Sequence, residues 1–133
     1  MTKRILTIDD DALFQEIVAA TFTHAGYNVE DARNGEQGLA LMRRLRPDIV
    51  LLDVRMPGSD GFHVLEQMKG DAALCAVPTV MLTGMRTERD VRRALALGVV
   101  DYLVKPVSPR ALLERVERIL DGAVDKPDEV WLL

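Results

Sequence analysis

The chain holds a single cysteine, Cys75, so no disulfide can form within it. That usage suits a reducing compartment, and Cys75 reads as an ordinary thiol. Basic residues are in the minority: 17 lysines and arginines face 21 acids, for a formal net charge of −4. The balance argues against nonspecific binding of nucleic acid. No apolar run approaches the roughly 20 residues that a membrane-spanning helix needs. No signal-peptide pattern, internal repeat or low-complexity tract is visible. The expectation is a cytoplasmic protein without membrane or direct nucleic-acid contact. Its 133 residues, 48% apolar and 29% charged, suffice for one soluble domain with one core.

What is present is an alternation. Arg4 to Ile8 is a short apolar run that ends in Asp9, Asp10 and Asp11. Phe14, Ile17, Val18, Thr21 and Phe22 then recur at helical spacing until Gly26. Tyr27 to Asp31 is a more polar strand, suited to a sheet edge. Asn34 caps a helix through Leu39, Met42 and Leu45 to Pro47. Ile49 to Leu52 is an uninterrupted apolar run, the pattern of a strand buried on both faces, and it meets Asp53 before Pro57 and Gly58 turn the chain. Ser59 or Asp60 caps a third helix bearing Phe62, Leu65 and Met68, and Pro78 to Leu82 is a fourth strand leading into Thr83 and Gly84. Thr87 opens a helix with Val91, Ala94 and Leu95 inward, and Val99 to Val104 is a fifth strand ending at Lys105 and Pro106. Ser108 and Pro109 start the last helix, with Leu112, Val116 and Ile119 inward, and Gly122 ends it. Five strands alternating with five helices predict a parallel α/β sheet covered on both faces.

In such sheets ligands bind outside the carboxyl ends of the strands. Those ends carry Asp9, Asp10, Asp53, Thr83 and Lys105. Three carboxylates crowded on one rim repel, and a hard divalent cation such as Mg²⁺ relieves them. A carboxylate nucleophile beside a metal, an ammonium and a hydroxyl suits aspartyl-phosphate chemistry. Taken singly, each residue also has a bland reading: Asp53 as a turn cap, Lys105 as a solvated lysine, Asp11 as a helix cap. His24 and His63 sit on helices and read as exposed. Arg86, Arg89, Arg92 and Arg93 read as a solvated helix face.

Together, in register, these motifs resemble the receiver domain of two-component response regulators. The resemblance runs from about residue 3 to 121 and rests on Ile8-Asp9-Asp10, Leu51-Leu52-Asp53-Val54-Arg55-Met56-Pro57-Gly58-Ser59-Asp60-Gly61, Leu82-Thr83-Gly84 and Asp101-Tyr102-Leu103-Val104-Lys105-Pro106. It implies a flavodoxin-like (βα)5 fold with strand order 2-1-3-4-5. It implies a receiver domain at 1–121 and a C-terminal tail at 122–133. It further implies that Asp53 accepts a phosphoryl group from a histidine kinase or a histidine phosphotransfer protein. Asp10, Asp53 and the backbone carbonyl of Arg55 would ligate Mg²⁺, with Asp9 acting mainly through water. Lys105 would pair with the phosphate, Thr83 would bond it, and Tyr102 would move inward behind Thr83 as a switch. The Lys105–Pro106 bond would be cis. Arg55 and Met85 depart from the most familiar pattern at positions that tune access of water to the acyl phosphate.

The function expected is that of a single-domain response regulator in a phosphorelay, signalling to a downstream protein by contact and not itself an enzyme. A homodimer through the fourth helix, fifth strand and fifth helix is a further expectation, with Asp101 and Arg115 pairing across it. The alternative is a receiver segment of a larger regulator that carries a separate output domain. A small Mg²⁺-dependent phosphatase would want a second Asp two residues after its nucleophile, where Arg55 stands. In a flavodoxin, Asp9 to Asp11 would repel the cofactor's phosphate.

Overall fold

A computed structural model describes residues 2–56, 58–84 and 87–122. Pro57, Met85, Arg86 and residues 123–133, including the Trp131 tail, lie outside the described residues. Five parallel strands form one sheet: β1 (Arg4–Ile8), β2 (Asn28–Ala32), β3 (Ile49–Asp53), β4 (Thr79–Thr83) and β5 (Asp101–Val104). Their spatial order is β2-β1-β3-β4-β5, the expected flavodoxin-like order. The polar β2 is at an edge, and the wholly buried β3 is central. Five helices connect them: α1 (Ala12–His24), α2 (Gly35–Leu45), α3 (Gly61–Lys69), α4 (Glu88–Ala96) and α5 (Pro109–Leu120).

Strand periodicity divides the core in two. Leu6, Ile8, Val50, Leu52, Met81 and Tyr102 face α2, α3 and α4, where Met42, Leu65, Met68 and Ala94 pack on them. Ile5, Ile49, Leu51, Val80 and Leu82 face the other way, against Val18 and Phe22 of α1 and Leu112, Val116 and Ile119 of α5. Each fully buried large apolar side chain contributes about 1.5–3 kcal/mol, so both layers are needed to hold the central strands in place.

The expected caps form. Asp11, Asn34, Asp60, Thr87 and Ser108 each accept a hydrogen bond from a backbone N–H in the first turn of the helix they open. Asp60 takes the role that the sequence left open between Ser59 and Asp60. Three strands start later than the patterning indicates, β4 by one residue, at Thr79. Tyr27 N–H donates to the Phe22 carbonyl past Gly26 (φ 98°), so it finishes α1 and β2 begins at Asn28. Val99 N–H likewise donates to the Ala94 carbonyl past Gly98 (φ 88°), so β5 begins at Asp101. On α1 the inward face is also shifted: Ile17 is 40% exposed, and Gln15 is buried. A two-residue antiparallel pair, Arg55–Met56 with Ser59–Asp60, folds the segment after β3 back on itself.

Candidate functional site

The rim at the carboxyl ends of β1, β3, β4 and β5 brings the expected residues together. Asp9 follows β1 directly and is 2% exposed. Its N–H donates to the Ala32 carbonyl at 3.0 Å, which ties it to the end of β2. Its carboxylate accepts the Asp11 N–H at 2.9 Å on one oxygen and the Lys105 ammonium at 2.5 Å on the other. Asp10, one residue on, is exposed. Asp53 closes β3, opposite Leu82 in register, and is 8% exposed. Asp9, Asp10 and Asp53 each present an oxygen within 4.8 Å of the others.

Lys105 reaches this rim because β5 delivers it. Its N–H donates to the Thr83 carbonyl at 2.7 Å, continuing the β4–β5 ladder one residue past β5. The Lys105–Pro106 peptide bond is cis, as expected. The ammonium lies 2.5 Å from Asp9, 4.0 Å from Asp53 and 4.3 Å from the centroid of the Phe14 ring. Phe14 thus forms an aromatic side to the ammonium's pocket. Thr83 is buried at the end of β4, in phase with Met81, whose register partner on β5 is Tyr102. The Tyr102 ring is only 3% exposed and belongs to the α4-side core, so it already stands on the inner side of the sheet.

The charges do not balance locally. Burial, and then the neighbouring Asp9 carboxylate, push the Asp53 carboxyl up to about 6, against the opposing pull of Lys105 and a hydrogen bond from the Arg55 N–H. One ammonium therefore does not neutralise three acids. The donor set is all oxygen, anionic and partly solvent-facing, which fits a hard divalent cation. Arg55 contributes its N–H to Asp53, and its side chain is exposed.

Other expected residues have structural partners. Arg92 pairs with Glu88, and Arg93 pairs with Glu66 at 3.1 Å while lying over the Phe62 ring at 4.3 Å. His24, His63 and Cys75 are exposed. Asp101 and Arg115, expected to meet across a dimer, form an ion pair within one chain, and Asp101 is fully buried. The expected cross-dimer contact is not shown: within one chain the two side chains already satisfy each other. Three residues that shape the site escaped the sequence reading as site residues: Phe14, Gln15 and Gly61. A polar Gln15 in phase with Val18 and Phe22 is a visible signal for a buried amide.

A sheet of this order with an acidic triplet and a lysine at its carboxyl rim defines a phospho-accepting receiver. The chain belongs to the response regulator receiver domain family, whose profile matches residues 5–117. Members are switches of two-component signalling. The chain is 38% identical over 130 residues to the DNA-binding response regulator MtrA of Mycobacterium tuberculosis, covering 98% of this chain and 56% of that protein. It is 36% identical over 132 residues to the phosphate regulon transcriptional regulatory protein PhoB of Pseudomonas aeruginosa, covering 96% of this chain and 58% of that one. The chain thus spans a little over half the length of these curated relatives. It also superposes on the chemotaxis response regulator CheY4 of Vibrio cholerae with a TM-score of 0.84 at 30% identity, covering 90% of this chain and 99% of that one. Because MtrA is named as DNA-binding, the expectation of no direct nucleic-acid contact has no support from the relatives. Among the described residues, no helix is long and apolar enough to cross a membrane.

Proposed function

We propose that this protein is switched by phosphorylation of Asp53, with Mg²⁺ held by Asp10, Asp53 and the Arg55 backbone carbonyl. The observation that carries this reading is the convergence of Asp9, Asp10 and Asp53 within 4.8 Å, with the Lys105 ammonium 4.0 Å from Asp53. An Asp53 oxygen attacks the phosphorus of a phosphohistidine. The new O–P bond forms as the N–P bond breaks, and the departing imidazole nitrogen keeps the electron pair and takes up a proton. A bound Mg²⁺ supplies charge stabilisation to the phosphoryl oxygens. Lys105 moves from its pairing with Asp9 toward the new phosphoryl group, adding a second positive charge. Thr83 donates its hydroxyl to a phosphoryl oxygen and draws the start of the β4–α4 loop inward, and Tyr102 packs behind it. Asp9, whose oxygens accept from Lys105 and the Asp11 N–H before phosphorylation, would act on the metal mainly through water.

The donor is a sensor histidine kinase or a histidine phosphotransfer protein in the cytoplasm, and the chain is a switch, not a metabolic enzyme. The test uses a small phosphodonor, phosphoramidate, with and without Mg²⁺, read by intact mass. The wild type should gain one phosphoryl group only with Mg²⁺, and Asp53→Asn should gain none. Full labelling of Asp53→Asn overturns the assignment.

Output has two readings. CheY4, which this chain covers almost end to end, favours a stand-alone regulator acting on a downstream protein. MtrA and PhoB, of which it covers 56% and 58%, favour a receiver joined to an output domain that binds DNA. The size of the polypeptide in its source cells separates them: 14.8 kDa supports the first, and a much larger species carrying this segment supports the second.

A further inference from the structure

We propose that Gln15 is a positioning residue for the acidic loop, a role that rests on the metal and phosphoryl site described above. Gln15 is 3% exposed on the inner face of α1, where the other buried side chains, Val18 and Phe22, are apolar. A buried amide on such a face is unfavourable unless both its ends are satisfied. Both are. The nitrogen Nε2 lies 3.0 Å from the Asp9 carbonyl, 2.9 Å from the Ala32 carbonyl and 3.2 Å from the Thr7 carbonyl. The oxygen Oε1 accepts the Thr7 hydroxyl.

These partners converge where β1 ends, where β2 ends and where the acidic loop leaves the sheet. The Asp9 carbonyl belongs to the peptide that joins Asp9 to Asp10. Holding that carbonyl fixes the plane of the peptide and with it the direction in which Asp10 leaves the backbone. Asp10 is exposed, so the packing of its own side chain does little to orient it. The Asp9 N–H is meanwhile bonded to the same Ala32 carbonyl that Gln15 holds. Asp9 is therefore clamped through its N–H, its carbonyl and both carboxylate oxygens, and Gln15 supplies the side-chain clamp on the carbonyl that leads to Asp10, beside the Asp11 N–H that closes across it.

Partners that orient metal ligands without touching the metal commonly change affinity by about 10–100-fold when removed. The test substitutes Gln15→Met, which keeps length and volume but removes both hydrogen-bonding ends. Mg²⁺ alone is titrated calorimetrically into the metal-free full chain, with folding checked by circular dichroism. The Mg²⁺ Kd should weaken by about tenfold, and the Asp10 and Asp11 amides should exchange hydrogen faster, with the amides of β4 unchanged. A purely structural Gln15 would lower the melting temperature yet leave the Kd of the folded protein at its wild-type value, and that result overturns the proposal. If Gln15→Met does not fold, Thr7→Val serves instead. It removes only the hydroxyl that holds Oε1, and a smaller loss of Mg²⁺ affinity is expected; a folded Thr7→Val with unchanged Kd and unchanged exchange also overturns it. Wild-type protein that binds no Mg²⁺ sinks the site reading and this proposal together, whereas wild-type binding with an unaffected variant sinks this proposal alone.

Discussion

Asp53 is held on a rim that works against its own ionisation. Its carboxyl is raised from the ordinary 3.8 to about 6 by burial and by Asp9. A carboxyl raised in the folded state binds more protons there than in the unfolded chain between those two values. Its contribution to stability is therefore fully present below about pH 4 and is lost as the pH rises through about 6. After allowance for solvent screening, the loss is on the order of 1–2 kcal/mol. Asp53→Asn removes the charge and should melt about 4–8 °C higher than wild type at pH 7.5 in a chelator, with a much smaller difference at pH 4.5. Adding Mg²⁺ should raise the wild-type melting temperature at pH 7.5 by mass action and leave the variant nearly unmoved. Melting curves at both pH values check this, and equal wild-type and variant temperatures across the range would remove the case for strain at Asp53. The placement of Asp9, Asp53 and Lys105 on one rim was legible because strand ends are legible. Gln15 was not, because an amide on an apolar stripe looks like an error of phase until its partners on β1, the acidic loop and β2 are known.

Backbone meets backbone closely where α3 starts beside the end of β3. A Cβ built on Gly61 would lie 2.4 Å from the Asp53 carbonyl oxygen and 2.9 Å from the Val54 Cα, and the Gly61 N–H donates to the Val54 carbonyl at 2.7 Å. Backbone on both sides leaves no flexible atom to give way. Gly61→Ala should therefore cost about 1–3 kcal/mol and displace Asp53. Gly38→Ala meets the Ile8 side chain at 2.4 Å, which can turn aside in part, so the cost should be smaller. Gly84→Ala, with nothing within 4 Å, should stay within about 0.5 kcal/mol of wild type. Urea unfolding of the three variants tests the order, and a Gly61→Ala as stable as Gly84→Ala would contradict the close approach. Helix starts were readable from Asp11, Asn34, Thr87 and Ser108, because a cap is a local interaction. The turn after β3 was readable at Gly58 (φ 66°), but the pairing of its two-residue flanks was not, and the left-handed Arg46 (φ 52°) before Pro47 has no glycine to announce it. Strand starts at Asn28 and Asp101 were displaced by helix ends that reach one residue beyond Gly26 and Gly98.

Across the whole molecule, topology was the most legible property. A continuous apolar β3, a polar β2 and five alternations leave few arrangements, and right-handed crossovers choose among them. What patterning does not carry is which charged groups are satisfied within the chain and which remain for a partner. Asp101 and Arg115 decide one such case, since β5 buries the acid and α5 brings the guanidinium to it. Burial raises the Asp101 carboxyl, and Arg115 works against that rise. Arg115→Met leaves a buried acid without its cation. Breaking a wholly buried pair costs about 3–5 kcal/mol, and because Arg115 retains 27% side-chain exposure the loss here should be about 2 kcal/mol. The sign with pH follows from the raised carboxyl: the variant should be closest to wild type in acid, where Asp101 is protonated, and fall away as the pH rises. If the pair instead bridged two molecules, the loss would grow with protein concentration, because dimer stability is inseparable from it. Urea unfolding of wild type and Arg115→Met at two protein concentrations a hundredfold apart therefore separates the two. A concentration-independent deficit identifies an internal strut, so that a phosphorylation-linked dimer through α4, β5 and α5 would have to form from other side chains. A deficit that appears only in concentrated protein would place Arg115 at an interface and restore the cross-dimer pair.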